Sequence, residues 1–155
     1  MYRRSLILGL CALPACGFTP AFGPGRSAEG LRNQVAIIAP DTVSGFALRT
    51  AIEDQLGRAT TPVYTLTLTQ SEASNSAAIL PDGDNARFDL RGTVNWTLGS
   101  DTGGLVGSGV VRSFTSYSAT GSTVATQAAE ADARDRLSRT LADLVVSDII
   151  LAINE

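Results

Sequence analysis

Residues 123–154 contain neither proline nor glycine, and this unbroken run constrains the fold more than any other stretch of the chain. Proline breaks a helix by removing an amide donor, and glycine weakens one through backbone entropy. Within the run, Ala133, Leu137, Leu141 and Leu144 recur at helical spacing, while Arg134, Asp135, Arg136, Arg139 and Asp143 decorate the rest of that portion. The pattern predicts a long amphipathic helix that needs a surface to lie on. After Leu144 the polar side thins, and Val145, Val146, Ile149, Ile150 and Leu151 nearly encircle the helix. That end either meets a partner or is buried on both sides in the domain's own core.

Strands supply the surface. "VYTLTLTQ" alternates cleanly, with Tyr64, Leu66 and Leu68 on one face and Thr65, Thr67 and Thr69 on the other. "ARFDLRGTVNWTL" alternates too, sending Phe88, Leu90, Val94, Trp96 and Leu98 inward and leaving Arg87, Asp89, Arg91, Thr93, Asn95 and Thr97 outside. The turn "SDTGG" leads into a further strand over residues 105–117 and makes a hairpin. Its register stays open, because Val106, Val110 and Phe114 lie in the opposite phase from Leu105, Val111 and Tyr117; a bulge would reconcile them. Upstream, "QVAIIAP" reads as a short buried strand stopped by Pro40. A helix follows over residues 44–56, with Leu48, Ile52 and Leu56 on one face and Gly57 as its stop. The order β-α-β-β-β-α predicts an α+β fold: a single four-stranded sheet, mostly antiparallel or mixed, with two helices packed on one face. The opposite sheet face is then largely polar and open to a partner.

The N-terminus has a different character. Arg3 and Arg4 precede the apolar "SLILGLCAL", which has signal-peptide length. Leu13, Pro14 and Ala15 then lead into Cys16 in the pattern of a bacterial lipobox, where a thiol takes a diacylglyceryl group, the signal is cut before it, and the new amine is acylated. Each buried methylene contributes ~0.8 kcal/mol, and two or three chains make a durable anchor. Cys11 fits less well, with bulky Leu10 before it. The competing reading is an ordinary secretory signal with incidental cysteines. Gly17, in place of an aspartate, is compatible with sorting to the outer membrane. The chain thus divides into a signal over 1–15, a lipidated, Pro/Gly-rich flexible leader over 16–33, and one domain over 34–155.

Catalysis finds little support. The chain has no His, the commonest general base and metal ligand, and Cys16 is occupied by lipid. Neither a G-x-S-x-G elbow nor an S-x-x-K pattern occurs. "PDGDN" lacks the later ligands of a calcium loop and reads as a solvated turn. We expect no enzyme activity, no metal and no cofactor beyond the covalent lipid on Cys16. Without residues 1–15, ten arginines face fifteen acids, a formal −5, so a nucleic-acid partner is not expected. Arg91 and Arg112 fall opposite or nearly opposite each other on adjacent strands. Such like charges need either acids such as Asp89 or a bound phosphate or carboxylate to bridge them.

"CGFTPAFG" (residues 16–23) resembles the start of the LPS-assembly lipoprotein LptE family, and "AAEADARDRLSRTLADLV" (128–145) is similar to that family's closing helix. The resemblance implies an outer-membrane lipoprotein on the periplasmic side, inside the large β-barrel LptD. There the family assists barrel assembly, acts as a plug and contacts lipopolysaccharide through basic residues. In this chain Arg87, Arg91 and Arg112 are the candidates by face and charge. Phe18, Phe22, Val146 and Ile150 are candidate contacts to the barrel. A lipid-binding auxiliary lipoprotein of an ABC-type envelope lipid transporter is the alternative; it would share the anchor and fold but associate with inner-membrane permease components.

Overall fold

The computed structural model describes residues 29–79, 85–119 and 122–153. After a 3-10 turn, Glu29–Leu31, come β1 (Val35–Ile38), α1 (Val43–Leu56), β2 (Tyr64–Ile79), β3 (Asn85–Ser100), β4 (Leu105–Ser118) and α2 (Thr123–Ile153). The four strands form one sheet in the order β1-β2-β3-β4. β1 runs parallel to β2, and the other pairs are antiparallel. The sheet is therefore mixed, and both helices lie on one side of it, as the element order predicts.

Local chemistry sets the element ends. Thr42 caps α1 by accepting a hydrogen bond on Oγ1 from the Gly45 amide at 3.0 Å. Gly57 ends α1 with φ of 78°, where a side chain would be strained. Its neighbour Leu56 accepts from the Asn33 amide at 2.7 Å. This contact ties the segment before β1 to the end of α1, and Leu31 is buried in the core at 1% exposure. The packed domain therefore begins within the stretch whose glycines and prolines read as leader.

The core lies between the inner sheet face and the two helices. Leu66, Leu68, Leu90, Val94, Trp96 and Leu98 point inward, as their alternation predicts, and meet Leu48, Ile52 and Leu56 of α1 and Leu137, Leu141, Val145 and Ile149 of α2. Burying each such side chain contributes roughly 1.5–3 kcal/mol. Ser138, fully buried, donates to the Ser44 carbonyl at 3.4 Å and links the two helices.

Helix phase brings two corrections. Leu144 is 38% exposed, and the buried stripe passes instead through Val145 and Val146. Val146, expected at a partner surface, is a core residue at 3% exposure. Ile150 is half-buried at the core's edge. Where apolar residues surround a helix, spacing alone no longer says which of them face inward.

The β3–β4 register contains the bulge that the phases of the hairpin require. Leu98 pairs with Gly107 but Gly99 with Leu105, which leaves Val106 as the extra residue, and Val106 packs against the core. Beyond the bulge, Val111 and Tyr117 face inward, while Val110 and Phe114 stay outside at 45% and 70% exposure. Trp96 lies opposite Gly109, and its indole N–H donates to Asp148 of α2 at 3.3 Å. A β-carbon on Gly109 would fall within 3 Å of that ring. Gly109 thus makes room for an indole, while Gly103, at φ of 85°, serves the turn between the strands.

Candidate functional site

The sheet face turned away from the helices carries Asp89, Arg91 and Arg112. On β2 it presents Thr65, Thr67 and Thr69, all exposed, and on β3 it presents Asn95 and Thr97. Arg91 pairs with Phe114, and Thr93 with Arg112. The two arginines are therefore diagonal neighbours, two residues out of register. Side chains so placed start ~7–8 Å apart, within reach of one anionic group for a long residue such as arginine.

Asp89 does not neutralise them. It accepts a hydrogen bond from Ser116 Oγ at 2.7 Å. Among the described residues, no ion pair joins Arg91 or Arg112 to an acid. The other side of the sheet contrasts with this. There Arg134 bridges Glu72 and Glu130 at 2.7 Å each, and the Glu130 hydrogen bond raises the guanidinium's pKa against the lowering effect of burial. Among the described residues the ion pairs thus lie on the helices and the helical side of the sheet, and neither Arg91 nor Arg112 takes part in one.

Arg87 belongs elsewhere. It lines a cleft of about 370 Å³ with Ser116, Tyr117, Asp132 and Arg136, where Asp132 already pairs with Arg136 at 2.9 Å. The structure brings Arg91 and Arg112 together and separates Arg87 from them. Leu13, Pro14, Ala15, Cys16, Phe18 and Phe22 lie outside the described residues, as does most of "PDGDN".

A second concavity, about 550 Å³, lies between the helices and was not singled out in the sequence. Val43, Phe46 and Ala47 line it from α1, and Asp135, Arg139 and Asp143 from α2. Phe46, 72% exposed, stands out of phase with Leu48, Ile52 and Leu56. An aromatic residue off the core stripe was the available signal. Among the described residues no group of His, Cys, Asp and Glu could hold a metal ion, and no helix is long and apolar enough to cross a membrane.

The architecture is that of several bacterial lipoproteins. A protein described as a lipoprotein from Caulobacter crescentus superposes with a TM-score of 0.66 at 24% identity, covering 82% of this chain and 96% of the other. Rare lipoprotein B from Shewanella oneidensis gives 0.59 at 14% identity, over 75% and 92%. A minor lipoprotein from Acinetobacter baumannii gives 0.60 at 17%, over 77% and 91%. No curated protein sequence matches. The fold is thus one shared with proteins described as lipoproteins.

The family follows from the sequence match. Residues 32–149 fit the model of LptE, lipopolysaccharide-assembly, and the chain belongs to that family. By that family it is a lipopolysaccharide-assembly protein.

Proposed function

We propose that this lipoprotein is acylated on Cys16, sits at the outer membrane, and assists assembly of the LptD β-barrel that it then plugs, contacting lipopolysaccharide through Arg91 and Arg112. The reading assigns it no catalysis and no cofactor other than the covalent lipid. The observation that carries it is the diagonal arginine pair without an acid partner, on a threonine-rich sheet face, in a chain of the LptE family. A polar face of this kind suits a water-lined barrel lumen. The arginines suit a phosphate group, which each guanidinium can grip with two donors. The domain's net negative charge is no obstacle, because the Debye length of ~8 Å at physiological salt limits the reach of distant acids. The acyl chains would confine the domain beside its barrel and raise its effective concentration there.

Two experiments test the parts separately. The lipoprotein should co-purify with a large β-barrel from detergent-solubilised outer membrane; recovery without one refutes the barrel assignment. Arg91→Glu with Arg112→Glu should weaken lipopolysaccharide binding while leaving the far-ultraviolet circular dichroism and melting temperature unchanged. Undiminished binding removes the arginines from the ligand site.

A further inference from the structure

The two edges of the sheet differ in a way that the proposed function does not use. β1, at one edge, has four residues and is followed closely by Pro40. A short edge strand next to a proline is a common safeguard against unwanted strand pairing. β4, at the other edge, has fourteen residues, Leu105–Ser118. It contains no proline and one charged side chain, Arg112, and its bulge lies near the beginning, at Val106. Among the described residues β4 pairs only with β3. The rest of the strand presents a row of backbone donors and acceptors to the outside, and Val110 and Phe114 flank Arg112 on the outer face.

We propose that the free edge of β4 accepts an extended strand from a partner polypeptide, with an acidic side chain beside Arg112 and apolar side chains beside Val110 and Phe114. Strand addition draws its affinity from main-chain hydrogen bonds and its specificity from alternate side chains. Here the alternate positions read apolar, cationic, apolar. The complement is apolar, acidic, apolar, which is the same in either strand direction. A second copy of this chain fits poorly. Antiparallel pairing of β4 with itself, in the registers that overlap Val110, Arg112 and Phe114, sets the two Arg112 side chains opposite or diagonal to each other, and Arg91 on β3 adds a further positive charge. An acid from the incoming strand relieves that charge.

The test uses the full chain in detergent micelles and a capped heptapeptide, Thr-Val-Thr-Glu-Thr-Val-Thr. Backbone amide exchange should slow at alternate residues of β4. Arg112→Glu should bind this peptide about fivefold more weakly, and the Arg-centred peptide about fivefold more tightly, than the unaltered chain does, as expected for one exposed charge pair. Several results would overturn the proposal. One is equal binding of a peptide N-methylated at alternate residues on its pairing edge, since no backbone pairing would then be involved. Others are no binding up to millimolar peptide, or protection, already in the peptide-free chain, of the β4 amides that point away from β3. A concentration-dependent dimer protected at β4 would make the occupant a second copy. Backbone protection is read independently of lipopolysaccharide, so failure of the ligand assignment leaves this result interpretable.

Discussion

Replacing Gly109 with alanine adds a single methyl group, and the structure says where it would go. The new carbon would stand 2.7 Å from Trp96 Nε1 and 2.9 Å from Cε2 and Cζ2, closer than unbonded atoms tolerate. The indole has little freedom to retreat, because Trp96 is 3% exposed and its N–H is held by Asp148. Overpacking of this kind costs about 1–3 kcal/mol. Removing a glycine from a strand returns roughly 0.5–1 kcal/mol of backbone entropy. The net expectation is a loss of about 1–2 kcal/mol, or ~4–8 °C in melting temperature for a domain of this size. Gly99→Ala is the control, since the nearest atom to its new carbon is the Gly104 carbonyl oxygen at 3.8 Å; that variant should match or exceed the parent. Equilibrium urea unfolding followed by fluorescence suits the question, because Trp96 is the single tryptophan. A Gly109→Ala protein as stable as Gly99→Ala, with unshifted emission, would refute the account. Stability measured by circular dichroism in the Trp96→Phe background should recover much of the Gly109→Ala loss, and absence of such coupling would place the cost elsewhere.

Further expectations concern charge and lipid. Glu53 is half-buried between two arginines; burial pushes its pKa up, but the hydrogen bonds and charges of Arg49 and Arg58 more than offset this and hold it below the ordinary carboxylate range. Its contribution to stability is therefore present above the unfolded-state pKa and is lost as pH falls through the lower folded-state value. Glu53→Gln should accordingly be less stable than the parent at pH 7, and the gap should close on acidification. A constant gap in denaturation midpoints from pH 7 to pH 2 would contradict the pairing. Cys16→Ser should yield a species without acyl chains, and a mass spectrum still showing them would contradict the anchor assignment.

Much of this fold is legible in the sequence because burial imposes a period. Leu66 and Leu68, and the alternate residues from Leu90 to Leu98, declare their strands, and Leu137 and Leu141 declare the long helix. The signal fades where periodicity carries no contrast. Leu144 and Val146 exchange places because apolar residues surround that end of α2. Leu31 enters the core from a stretch whose glycines and prolines gave no reason to expect it. Glu72 continues the inward phase of β2 but is polar, and only the packing shows that Arg134 crosses from α2 to meet it. The arginine pair was legible by face and strand, whereas its diagonal offset depended on where the bulge falls. Arg87 shares their alternation yet turns toward the α2 cleft near the strand end.

β2 changes character halfway along. Leu66 and Leu68 are buried, Glu72 is held by Arg134, and from Ala73 to Ala77 every residue is exposed. Little apolar burial then opposes the transient breathing of that half, so solvent should reach its amides at a lower opening cost than at the Leu66 end. One half of β2 is in effect firm and the other compliant. A neighbour that prises the second half of β2 from β3 would meet little resistance and would leave the packing around Leu48, Ile52 and Leu98 undisturbed.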